Sequence, residues 1–143
     1  MKILLTLLLL FATEAQAKSI LHDLTMEEIK AKYNVAIKTT PDEEKIFIPA
    51  NVVFCSSKKG LLKVSNYSIS HNGVVNTAYA RSVRCYVMEG WSVGIVAEAD
   101  KEKNMMHLVF RMPMSDGEVD YGYFYQHHLM TIAQRKALSK NLQ

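Results

Sequence analysis

Apolar positions change their spacing along this chain, and each change marks a different kind of element. Near the N-terminus Thr25 precedes Glu28 by three residues. This is the arrangement of a capping box, in which the Thr25 hydroxyl accepts from the Glu28 amide and the Glu28 carboxylate reaches back to the Thr25 amide. Leu24 before the cap and Ile29 after it stand as a hydrophobic staple, and Glu27 and Glu28 suit the positive end of a helix dipole. The pattern predicts a short helix over residues 26–33, closed by Asn34 in the left-handed conformation. An extended Val35, Ala36 and Ile37 then follow.

From Lys45 onward the period becomes two, and turn residues separate runs rich in β-branched and aromatic side chains. Strands are predicted over 45–55, 61–70, 74–88, 91–99, 105–114 and 118–125. Pro49 sits inside the first, which is therefore an edge strand or two short strands broken at Pro49 and Ala50. A three-residue loop at His71, Asn72 and Gly73 pairs Ile69 with Val75, Tyr67 with Thr77 and Leu61 with Val83, aligning apolar partners and using Gly73 at a left-handed position. In that register a simple meander would put Cys55 and Cys85 on strands either side of a third, about 9 to 10 Å apart and beyond disulfide reach. Either the strand ending at Cys55 pairs elsewhere, or residues 56–60 fold over to bring the two cysteines together at the end of the sheet.

Helical spacing returns at the C-terminus. Leu129, Ile132, Ala133, Ala137 and Leu138 form one apolar stripe, with Gln134, Arg135, Lys136 and Lys140 outside it. A helix over 128–140 is expected to pack on the sheet. The resulting fold class is α+β: a twisted antiparallel sheet of five or six strands, a short N-terminal helix, a C-terminal helix and one disulfide from Cys55 to Cys85. A β-sandwich with helical appendages is the alternative.

The first seventeen residues stand apart from this pattern. Lys2, an apolar run of about ten residues and small residues at Ala15 and Ala17 make a secretory signal peptide, too short to span a bilayer, which takes about twenty residues. Cleavage leaves residues 18–143 as a single globular domain with no transmembrane segment, exported to the periplasm or secreted. The compartment explains the cysteines, because an even pair in an exported chain reads as one disulfide. Closing a loop of about thirty residues contributes on the order of 3 to 4 kcal/mol in the chain-entropy account. The leader carries one base and one acid, so the net charge of +3 survives its removal. Bases and acids alternate along most of the chain and no basic run is longer than a pair such as Lys58 and Lys59, which argues against nucleic-acid binding.

Candidate chemistry is sparse. His107, His127, His128, Glu118 and Asp120 are the nearest approach to a metal constellation, yet adjacent histidines face apart on a strand and about 100° apart on a helix, so no metal is implied. Glu98, Asp100, Glu118 and Asp120 lie near hairpin turns. An unbroken strand puts Glu98 and Asp100 on the face of Ser92 and Val96, which makes them solvated surface groups rather than a catalytic pair. The feature with most binding content is the alternation of Tyr121, Tyr123 and Tyr125 on one face of a single strand, with Trp91 at the start of another. Half-exposed tyrosines give flat apolar area with a polar tip, a composition favoured at interfaces.

These features lead to an exported, non-enzymatic domain that binds another envelope or extracellular protein, such as an inhibitor, an immunity protein or an accessory factor, with no cofactor. Tyr121, Tyr123, Tyr125 and Trp91 are its candidate contact residues. The alternatives are a small-ligand or sugar-binding domain, which requires a pocket of about 300 Å³ or more, and a small hydrolase, which requires Asp120, His107 and one of His127 and His128 to converge.

Overall fold

Seven antiparallel strands form one sheet, and the short link between the first two dictates how that sheet curves. A computed structural model describes residues 21, 23–114 and 117–141, so the leader read at residues 1–17 lies outside the described residues. The strands are β1 (Ile46–Ile48), β2 (Val53–Cys55), β3 (Cys85–Val87), β4 (Ser92–Asp100), β5 (Met105–Arg111), β6 (Val119–Tyr125) and β7 (Met130–Thr131). Their spatial order is β3-β2-β6-β5-β4-β1-β7. In a flat sheet β1 and β2 would stand about 19 Å apart, whereas the five Cα steps from Ile48 to Val53 reach at most about 18 Å fully extended. The sheet therefore curls, and residues 49–52 strap across its concave face, with Asn51 in the left-handed conformation at φ 68°.

The concave face is filled by Ile48, Phe54, Met88, Leu108, Phe110 and Phe124, all buried. The Phe54 ring lies 5.1 Å from that of Phe110 and 5.5 Å from that of Phe124. Two strand glycines make room for this closure. A Cβ on Gly122 would sit 2.8 Å from the Phe54 ring, and one on Gly94 would sit 3.1 Å from both Ile48 and Leu108. The absence of side chains there lets β1 and β2 close over the sheet.

Helices cover the other face. α1 (Met26–Thr39) carries the expected capping box, and its Ile29, Tyr33 and Ala36 pack on Ile95, Ala97, Val109 and Val119. The helix runs six residues past the predicted end because Ala36 continues the buried stripe at helical spacing. Asn34 lies inside it rather than at its cap, and the Asn34 side chain accepts from the Arg111 guanidinium at 2.7 Å. The Tyr33 hydroxyl donates to the Val93 carbonyl at 2.9 Å.

The predicted hairpin over 61–88 is replaced by two helices and a strand. α2 (Lys58–Ser70) starts at Ser57, whose hydroxyl accepts from the Gly60 amide, and α3 (Thr77–Ser82) starts at Asn76, which caps Tyr79 in the same way. Leu61 and Val64 sit one helical turn apart and are both buried, so helical spacing was present beneath the alternation of Tyr67 and Ile69. With the hairpin gone, β2 pairs directly with β3 and Cys55 faces Cys85 across the ladder, joined by a disulfide with Cα atoms 4.0 Å apart. The strand ending at Cys55 does pair elsewhere, also meeting β6 at Tyr123. The first predicted strand is broken at Pro49, giving β1 and β2.

The C-terminal helix, α4 (Ile132–Asn141), starts later than expected because Met130 and Thr131 form β7 beside β1. It is not packed along its stripe: no α4 residue is buried, and Leu138 is 48% exposed. Thr131 and Gln134 form a capping box, and Lys136 reaches Asp42 at 2.6 Å. Among the described residues the strand count is thus seven, in one curled sheet with helices at both ends rather than two packed sheets. Among the described residues no helix is long and apolar enough to cross a membrane.

Candidate functional site

The tyrosine row of β6 is divided by the helices above it. Tyr123 is 1% exposed, with its ring stacked on that of His107 at 4.1 Å between centroids. Burial, with the negative charge of Glu98 nearby, pushes its hydroxyl up to about 12. Tyr121 packs partly buried against the α1 cluster. Only Tyr125 opens toward a groove, beside His127 at 5.4 Å and His128 at 6.1 Å. Trp91 is 64% exposed and stacks on Phe47 at 6.1 Å. It directly precedes β4, and β5 lies between that strand and the tyrosines of β6, so the four residues do not form one surface.

The carboxylates fall differently from the alternation expected. A β-bulge between Val96 and Glu98 shifts the register, so that Glu98 faces His107 and Asp100 faces Met105. That extra residue turns Glu98 and Asp100 to the helix-covered face, the reverse of their predicted orientation. There both meet Lys58, at the first turn of α2, with each oxygen 3.0 Å from the ammonium. Lys58 holds the Asp100 carboxyl below its ordinary range. Asp120 stands opposite Phe110 and on the other face of β6, whereas His107 stands opposite Tyr123. Three residues of strand, about 10 Å, and a change of face separate them. His127 and His128 follow the end of β6 in a single turn of 3-10 helix, Gln126–His128. The hydrolase constellation therefore does not assemble. Among the described residues no three His, Cys, Asp or Glu side chains are grouped to hold a metal.

What the fold does build is a groove of about 570 Å³ between α2, the following loop, β2 and the turn after β6. Leu61, Val64 and Val75 form its apolar wall, and Tyr125, His127, His128 and Asn51 bring polar atoms to it. Burial and the neighbouring His127 lower the affinity of His128 for a proton, keeping that ring neutral to lower pH than usual. Ile69, at one side of the groove, is 76% exposed, and nearby Val74 is 63% exposed. A second groove, of about 420 Å³, lies beyond Asn51 between β3 and the chain after β5, where Met88, Met112 and Asp120 meet. Burial raises the Asp120 carboxyl above its ordinary range.

The outer stripe of α2 has a distinct charge. Lys59, Leu62, Lys63, Asn66 and Ile69 recur at three- and four-residue spacing and are all exposed. No Asp or Glu occurs between Glu44 and Glu89, a span that contains β1, β2, α2, α3 and β3. Lys58 and Lys59 occupy the first turn of α2, which carries no acid to offset the helix dipole. This acid-free span is a signal visible in the sequence, although reading it as a surface required knowing that residues 58–82 are helical. Comparison with family models, curated proteins and solved structures finds nothing that matches this chain.

Proposed function

We propose that this chain is an exported, non-enzymatic domain that binds another protein through the groove between α2 and Tyr125. The observation that carries the reading is the pair Ile69 and Val74, branched aliphatic side chains held mostly in water beside an apolar groove. A partner side chain covering them removes apolar surface from water at about 25 cal/mol per Å². The leader at residues 1–17 and the disulfide support an oxidising destination. The Gly-x-Ser-x-Gly run at residues 90–94 leads into strand β4 rather than a strand-to-helix turn, and its Ser92 hydroxyl donates to the Arg111 carbonyl, which supports a structural use of that serine. A second reading, a small apolar or sugar ligand, is supported by the groove volume, which falls in the range of ligand sites.

Co-purification of the tagged chain from the envelope fraction tests the proposal. A stoichiometric partner is expected with the wild type and with Trp91→Ser, and is expected to be lost with Ile69→Asp. Loss with Trp91→Ser alone moves the contact surface to the start of β4, beside Phe47, and overturns the assignment. A small molecule retained in native mass spectrometry, with no protein partner, supports the ligand reading instead.

A further inference from the structure

Resting on the protein-binding reading above, we infer the chemistry of the partner: the docking segment is acidic and carries aliphatic anchors, with its acids along α2 and its anchors in the groove. Charge complementarity is the argument. The exposed bases of this layer, Lys59, Lys63, Arg81 and Arg84, have no acid among them in sequence. Glu98 and Asp100, which approach the layer from β4, are already engaged by Lys58. The start of α2 lies beside the end of α3, because the Ser56 amide donates to the Arg84 carbonyl at 3.0 Å. This places Arg84 with Lys58 and Lys59 at one end of α2, while Ile69 and Val74 mark the other. Lys63 lies between them along the helix axis, on the outer face of α2 and not on the groove wall.

The layer therefore reads as a strip that is basic at one end and apolar at the other. Its apolar end is concave, which suits an inserted side chain better than the flat surface of a bilayer. An acidic segment would lose little on docking, since Lys59 and Lys63 are exposed and no acid neighbours them in sequence, and long-range attraction would raise the rate of encounter. Arg81 also borders the second groove together with Glu89, so Lys59 and Lys63 are the cleaner probes of the strip.

The test uses residues 18–143 and three labelled peptides of about sixteen residues: one of Glu, Leu and Gly, one with Lys in place of Glu, and one with Ser in place of Leu. Fluorescence anisotropy is expected to show binding of the Glu/Leu peptide at least tenfold tighter than of the other two. Lys59→Glu combined with Lys63→Glu is expected to weaken it at least tenfold, as is raising NaCl from about 50 to about 500 mM. Ile69→Ser is expected to weaken it while leaving the salt dependence in place. Unchanged thermal unfolding midpoints establish that the variants are folded. Equal binding of the Lys/Leu peptide overturns the acidic assignment and leaves the groove reading standing, whereas binding of neither Leu-containing peptide removes both. Co-sedimentation with phosphatidylglycerol vesicles, lost in the double lysine variant and without peptide binding, makes the strip a lipid-docking surface and also overturns the inference.

Discussion

Reducing the disulfide should act first on the helical layer that carries the proposed docking surface. Cys55 and Cys85 are both buried, and thirty residues of sequence separate them. All of α2 and α3 lies in that loop. In the chain-entropy account a loop of this length constrains the unfolded chain by about 12 cal/mol/K, or about 3.6 kcal/mol at 25 °C. That is a large share of the 5 to 15 kcal/mol that typically holds a domain folded. Urea unfolding followed by circular dichroism at 222 nm, with and without a phosphine reductant, measures the difference. With a slope of about 1.5 to 2 kcal/mol per molar, the midpoint should fall by about 2 M. Hydrogen exchange on the reduced, still folded chain should accelerate most in α2 and α3, whose Leu61, Val64 and Ala80 pack around the cystine, and least in β4 and β5. A stability change below about 1 kcal/mol, or exchange unchanged in α2 and α3, would refute the reasoning that this cross-link holds the layer.

Three further outcomes follow from particular contacts. Gly122→Ala places a methyl group 2.8 Å from the Phe54 ring, with the Cys55 carbonyl 3.3 Å away, and should cost about 1 to 3 kcal/mol by overpacking, measured as the urea midpoint at constant slope. Tyr123→Phe should flatten the loss of stability at alkaline pH. The folded state holds that proton up to about 12 and the unfolded chain only to about 10, so its contribution is complete below pH 10 and disappears as pH rises toward 12. An unchanged profile between pH 9.5 and 11.5 would count against this burial. Ile69→Ser should leave thermal stability within about 0.5 kcal/mol of wild type, because that side chain is 76% exposed, and a larger loss would mean that it is part of the core.

The readable parts of this chain were those whose signals are local. The Thr25 and Glu28 capping box depends on residues three apart, and the central strands β4, β5 and β6 are runs of seven to nine residues rich in apolar side chains and bounded by turn residues. The segment after Cys55 carries two patterns, since Leu61, Tyr67 and Ile69 share the parity of one strand face while Leu61 and Val64 stand one helical turn apart, and packing on the sheet decides for the helix. Neighbouring β2 and β3 require the chain between them to leave the sheet and return, which a pair of helices does and a hairpin strand does not. The bulge after Val96 depends on pairing with β5, so nothing local announced that Glu98 and Asp100 would turn inward to Lys58. α4 was expected to pack because it has a stripe, but by the time the chain reaches it α1, α2 and α3 already cover much of the helical face. Of the four contact residues read from the sequence, Tyr125 lies at the groove, while Lys59, Lys63, Ile69 and Val74 came to notice only once α2 was placed.

The central claim is that a protein partner docks at the α2 groove, and site-specific photo-crosslinking in the producing cell tests it most directly. A benzoylphenylalanine at position 69 should trap one discrete partner band that Lys59→Glu with Lys63→Glu abolishes, while the same probe at position 91 should trap none. A band at position 91, or no band at position 69 when the chain is exported and folded, would contradict the account.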